Sequence, residues 1–205
     1  SINYNIIGYS SIILDEFLLR ELRDQSGWWG NKYGAQFGIK LFDLLKKNGL
    51  YTIAEYNLVR PYTYSHVSSK QNYGHKNHSL THPLESNFKE FLMILGFQKN
   101  NLDLSFQFHS QLFGLDSSGI NFGGNMFNSY VNRNGDMGQF IGQGNLIRQN
   151  IFIFQLSYLL ASQTNTKIFV QYNYRQTHQD RNTSNNITQL NLGISSRLWQ
   201  NLEDY

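Results

Sequence analysis

The chain has 205 residues, of which 15% are charged and 15% aromatic, with two prolines, no cysteine and a net charge of +3. Low charge beside so many aromatics argues against disorder, because a disordered chain is usually aromatic-poor and charge-rich. The absence of cysteine excludes a disulfide framework and any thiolate metal site, and the small, scattered positive charge argues against a nucleic-acid partner. No apolar stretch approaches the roughly 18 residues of a membrane-spanning helix. The opening Ser-Ile-Asn-Tyr-Asn lacks the basic flank and apolar core of a secretion signal. Two classes remain: a soluble protein, or a β-barrel, in which only alternate residues meet lipid.

Read in chain order, alternation with a period of two recurs throughout. A first strand is expected over 4–15, with apolar residues on both faces. Ala35, Phe37, Ile39 and Leu41 then alternate with Gln36, Gly38 and Lys40. Thr52, Ala54, Tyr56 and Leu58 alternate with Ile53, Glu55, Asn57 and Val59. A blurred strand follows over 87–98, and a clean one in which Leu102, Leu104, Phe106 and Phe108 oppose Asp103, Ser105, Gln107 and His109. Another blurred strand covers 147–161. The last two set Ile168, Val170, Tyr172 and Tyr174 against Phe169, Gln171, Asn173 and Arg175, and Leu190, Leu192, Ile194 and Leu198 against Gln189, Asn191, Gly193 and Arg197. A helix would smear both sets around its circumference, so these are strands.

The expected connections alternate: long at 16–31, short at 44–49, long at 65–86, short at 99–101, long at 116–145, short at 162–166 and medium at 180–186. One end of the sheet therefore carries long loops and the other tight turns. Outer-membrane barrels have this shape, with long loops outside the cell and short turns in the periplasm. The fold expected is all-β: an antiparallel up-and-down transmembrane β-barrel with about eight strands here. Such a chain sits in the bacterial outer membrane, its loops extracellular and its C-terminus periplasmic. A soluble sandwich or jelly roll is the alternative, but strands of 12–15 residues are long for one.

Four segments carry a family resemblance. They are Leu14-Asp15-Glu16-Phe17 with Gly27-Trp28-Trp29-Gly30-Asn31-Lys32; Glu55 to His66, with its Arg-Pro-Tyr-Thr-Tyr-Ser-His run; Tyr73-Gly74-His75 with His82 to Phe88; and Ile141-Gly142-Gln143-Gly144. Together they resemble the outer-membrane barrels of the Wzi capsule-assembly family, in particular its Bacteroidota RemB-like gliding-motility branch. A C-terminal strand ending on the aromatic Tyr205 fits as well. The resemblance implies a barrel larger than this chain, of which it would be the C-terminal half or so, or else a shortened relative. It also implies a non-enzymatic role, either holding surface polysaccharide or assisting gliding motility and secretion. The implied partners are outer-membrane lipid, surface polysaccharide and other outer-membrane or secretion and motility proteins, with no cofactor. A structural subunit that contacts protein through its loops is the alternative, as is a passive pore.

Trp28 and Trp29 suit sugar stacking by residue type, but interfacial anchoring or loop packing is the plainer reading of both. With Tyr62, Tyr64, Asn125, Asn128 and Arg133 they form the saccharide candidates on the long-loop side. Lys40, Glu55, Asp103, His109, Arg175 and Arg197 fall on the polar face and are expected to look into the lumen and pair across it. His75, His78 and His82 have ligand-like spacing beside His66, but lack cysteine or carboxylate company apart from Glu85, so no metal is expected. Ser105 and His109 share a strand face about 13 Å apart, too far for a nucleophile and its base. With no Gly-x-Ser-x-Gly elbow, no enzyme is expected.

Overall fold

The computed structural model describes residues 5–44, 48–76, 78–179 and 183–196; Arg197 and Tyr205 lie outside them. Eight strands form one antiparallel meander: β1 (Asn5–Glu16), β2 (Lys32–Phe42), β3 (Leu50–Val59), β6 (Phe88–Lys99), β7 (Leu102–Leu115), β8 (Asn145–Ala161), β9 (Thr166–Gln179) and β10 (Thr183–Ser195), paired in that order. A helical turn, α1 (Leu19–Arg23), follows β1, and a small hairpin of β4 (Gly74–His75) and β5 (His78–Ser79) interrupts the connection between β3 and β6. Strands and long-loop positions agree with the alternation. The connection after β9 does not: only residues 180–182 separate it from β10, so the medium loop expected at 180–186 is mostly strand. Among the described residues β1 and β10 do not pair, and the sheet is not a closed barrel.

The turns follow from local chemistry. Gly49 adopts φ +89 between β2 and β3, and the Asp43 carboxylate accepts its N–H at 3.0 Å. Asn100 and Asn165 turn the two later short connections at φ 52 and 46, the left-handed region that asparagine enters most readily after glycine.

Because directly opposed residues share a face, the register separates the two sides of the sheet. One row runs Ile6, Leu41, Thr52, Leu95, Phe106, Phe154, Tyr172, Leu190 across all eight strands. This face carries most of the exposed large apolar residues, among them Ile39, Phe154, Leu192 and Ile194. Its rings touch from strand to strand, with Phe106 on Phe154 at 4.7 Å and Phe108 on Phe152 at 5.0 Å. On the described strands its Lys and Arg residues sit at the borders: Lys89 and Arg148 in one upper row, Lys99 at the lower end of β6. A soluble sandwich would need a second sheet over these rings. Among the described residues the only other sheet is the two-stranded β4–β5 hairpin.

The apolar band is slanted. The row Phe37, Tyr56, Phe91 is aromatic on β2, β3 and β6, yet it continues as Ser110, Asn150, Gln176, Asn186 on β7 to β10. Its upper edge is Leu14 on β1, opposite Tyr33, and Leu190 on β10, in the row of Leu41. That slip of eight residues along β2 is about 26 Å over seven strand spacings of about 4.8 Å, an inclination of about 38° to the rows.

The opposite face holds Lys40, Glu55, Asp103, His109 and Arg175 together, as the alternation required. It is also where the sheet is fitted around glycines: the Tyr9 ring lies over Gly38, Tyr51 over Gly96 and Phe169 over Gly193. Aromatic cover over a strand glycine permits local curvature without leaving a gap. A Cβ on Gly38 would lie 2.1 Å from the Tyr9 ring. Gly38→Ala should therefore cost about 1–3 kcal/mol by overpacking, read as a lower midpoint in chemical denaturation. It should also displace the Tyr9 hydroxyl from its 2.6 Å hydrogen bond to Glu55.

Candidate functional site

The best-buried side chains lie above the sheet, where the three long loops interlock into a cap. Tyr62, Lys32, Phe88, Met126 and Asn87 are its largest fully buried members. The first loop joins the third through Trp29 N–H to Asp136 O (2.9 Å) and Gln139 N–H to Gly27 O (2.8 Å). The second joins the third through the Ser86 hydroxyl on Gly123 O (2.7 Å) and Met126 N–H on the Glu85 carboxylate (2.8 Å). Asn72 adds a short hydrogen bond from its amide to Met126 O.

Asn87 is the keystone. Its amide nitrogen donates to Gly114 O, Phe122 O and Gln143 O at 3.1, 3.3 and 3.0 Å, while its Oδ1 accepts Gly142 N–H at 2.7 Å. Its φ of 61 suits asparagine better than most residues. Lys32 is the second fixture. Its ammonium meets Glu16 at 3.2 Å and Ser65 O at 3.1 Å, with the rings of Tyr130 and Trp29 at 4.2 and 5.0 Å. Cation–π contact and a carboxylate together stabilise a charge removed from water.

The saccharide candidates divide. Tyr62 is wholly buried, so its ring offers no surface; its hydroxyl donates to Asn121 O at 2.9 Å and accepts Asn134 N–H at 3.3 Å. Burial pushes that phenol up, which keeps it a donor. Trp29 is engaged by Tyr130 at 4.7 Å and by the Arg133 guanidinium at 4.3 Å, and Arg133 in turn pairs with Asp136 at 2.6 Å. Trp28 folds back over Gly30. Both tryptophans thus pack the cap. Tyr64 stacks on Tyr73 with ring centroids 5.9 Å apart. Asn125 and Asn128 remain exposed, Asn128 donating to Asp116 at 2.7 Å.

Below the cap, on the polar face, lies a cluster that spacing did not reveal. Glu90 on β6 is buried; its Oε2 receives His82 from the second loop at 2.8 Å and Asn57 at 3.4 Å, and its Oε1 receives Gln111 at 2.7 Å and His109 at 3.2 Å. Leu84 N–H donates to His82 Nδ1 at 3.1 Å, which assigns the His82 proton to Nε2, facing Glu90. Asn57 also reaches Glu55 at 2.8 Å, so one amide bridges two carboxylates. Both oxygens of each carboxylate are occupied, Glu55 Oε2 by Tyr9, and through His82 the cluster ties the second loop to the sheet. His75 and His78 face each other in the exposed β4–β5 hairpin, away from this tie. Among the described residues no three His, Asp or Glu side chains are gathered to hold a metal. Along the polar face of the described strands Asp103 lies 4.0 Å from Lys167 and His109 lies 3.2 Å from Glu90.

No family model, no curated protein and no solved structure matches the chain.

Proposed function

We propose that the chain forms part of the wall and outer cap of a bacterial outer-membrane β-barrel that holds polysaccharide at the cell surface. Its role is attachment rather than catalysis, in capsule assembly or, as the gliding-motility branch of the resemblance suggests, beside a secretion and motility assembly. The observation that carries the reading is the slanted apolar band. Its inclination of about 38° matches the 35–45° tilt of membrane-barrel strands. Its lysines and arginine stand at its borders, where long cationic side chains reach water. Beyond Leu14 the apolar surface continues through exposed Phe17, Leu18, Leu19 and Leu22 around α1, a surface suited to the membrane interface.

Hydrocarbon tolerates no open strand edge, because unpaired N–H and C=O groups there have no water to meet. Additional strands between β10 and β1 therefore complete the barrel in this reading. Eight strands alone would enclose an interior filled by side chains, so a pore would require the additional strands. The cap favours holding over passage, since three interlocked loops present a rigid outer surface.

The test is extraction. Carbonate-washed outer membranes should retain the polypeptide until detergent is added, and its intact mass should exceed that of 205 residues, with the closing strands in the same polypeptide. Release by carbonate alone would overturn the membrane reading.

A further inference from the structure

The geometry points to a site for a neutral glycan on the third long loop, in two adjoining depressions that flank the Ser117–Ile120 turn. This deepens the polysaccharide reading and rests on it. The turn is rigid: Ser117 and Ile120 exchange backbone hydrogen bonds at 3.4 and 3.0 Å, and Ser118 and Gly119 take φ values of 54 and 77, as a two-residue I′ turn requires. On one side a depression of about 330 Å³ is lined by Asp116, Asn121, Asn128, Ser129 and Asn132. On the other, one of about 500 Å³ is lined by Phe122, Gly144, Asn145 and Gln179. Ser117, Ser118 and Ile120 belong to both, so the turn is a low divide between them.

Each property of the lining bears on the ligand. The wall is preorganised, because Asp116 Oδ1 accepts Phe122 N–H at 2.8 Å and Oδ2 accepts the Asn128 amide at 2.7 Å. The Asn121 side chain is likewise spent on Ser129 O and Gly123 N–H. Side-chain amides and hydroxyls make up most of the polar lining, the groups that exchange hydrogen bonds with ring hydroxyls in either direction. Ile120, 41% exposed, lends an apolar surface to the C–H face of a ring, with Phe122 beside it. Among the described residues no lysine or arginine lines either depression. Arg133, next to Asn132 in the chain, is held by Asp136 and Trp29. An acidic sugar would find no cation among the described lining residues and would face Asp116, which is a reason for rejection rather than indifference. Two depressions meeting at a divide suit consecutive residues of a chain rather than a monosaccharide.

Binding of the detergent-solubilised protein to an immobilised panel decides the matter. The panel holds neutral oligomers (β-1,4-glucans, mannans, N-acetylhexosamine chains) and uronate oligomers (alginate, polygalacturonate). Retention of one or more neutral oligomers is expected, with none for the uronates. Ile120→Arg, which fills the divide, should weaken that retention at least tenfold, and Asn132→Ala several-fold. Met137→Arg adds the same charge on the same loop outside both depressions and should change nothing. Heat-dependent gel mobility confirms that each variant is folded. Uronate-only retention would overturn the ligand class. Neutral retention indifferent to Ile120→Arg and Asn132→Ala would overturn the location while leaving the polysaccharide reading in place. No retention of any oligomer would overturn both.

Discussion

Asn87→Ala is expected to detach the cap from the sheet while leaving the strands assembled. The substitution removes four hydrogen-bonding contacts at once and leaves Gly142 N–H and the carbonyls of Gly114, Phe122 and Gln143 without the partner that joins them. A single hydrogen bond contributes about 1 kcal/mol net, but each buried group left unsatisfied costs about 1–3 kcal/mol. With some relaxation, a loss of about 3–5 kcal/mol follows, large against the total stability of an ordinary domain. Alanine is also poorly suited to the positive φ at this position. Asn87→Asp separates the two terms: it keeps the acceptor for Gly142 N–H, loses every donor and sets a carboxylate against three carbonyls. It should be at least as damaging as alanine. Limited proteolysis should cut both variants within 60–87 and 116–144, with the strand fragments remaining protected. Cleavage no faster than in the parent would show that the cap is held by its other contacts.

The strands were legible in the sequence because a half-buried sheet writes a period of two into it, and the long and short connections were legible because Asn, Gly and Ser cluster where the chain turns. The largest misreading was at Thr183 to Asn186. There Thr183, Ser184, Asn185 and Asn186 are polar on both faces, so alternation vanishes although the ladder continues from Thr183 opposite Gln179 to Ile187 opposite Arg175. Hydrogen-bonded strand that extends into water has no apolar face to announce it. The cap was illegible for a different reason. Tyr62 meets Gln139 across 77 positions and Asn87 meets Gln143 across 56, and such contacts leave no periodic trace. Residue type made Trp29 and Tyr62 saccharide candidates, with loop packing the plainer reading of Trp29, and type says nothing about whether a ring's faces are covered. Glu90 was passed over because a lone carboxylate on an apolar-looking strand gives no sign that His82, eight residues upstream, returns to it from a loop. Closure, finally, lies beyond any alternation pattern, since an edge strand and a paired strand alternate alike.

A pair of neighbouring arginine substitutions should separate lipid from water as the medium outside the sheet. Phe154 lies midway down the apolar band, 50% exposed, with Phe106 and Tyr172 in its row. Gln155, the next residue, points to the opposite face in the row of Ser105 and Gln171. In a bilayer, Phe154→Arg places a cation near the midplane, at a cost of about 2–4 kcal/mol, whereas Gln155→Arg faces polar neighbours and should cost less than about 1 kcal/mol. In water the gap narrows: an arginine replacing an exposed ring stays hydrated, and only the ring contacts with Phe106 and Tyr172, about 0.5–1.5 kcal/mol each, are at stake. Refolding the full-length protein into lipid vesicles and following its heat-dependent gel mobility through a urea series measures both variants on one scale. A midpoint lowered strongly by Phe154→Arg and hardly by Gln155→Arg would assign the aromatic face to lipid. Equal midpoints, or an effect confined to Gln155→Arg, would mean that the rings face something other than hydrocarbon and would remove the membrane from the account of this fold.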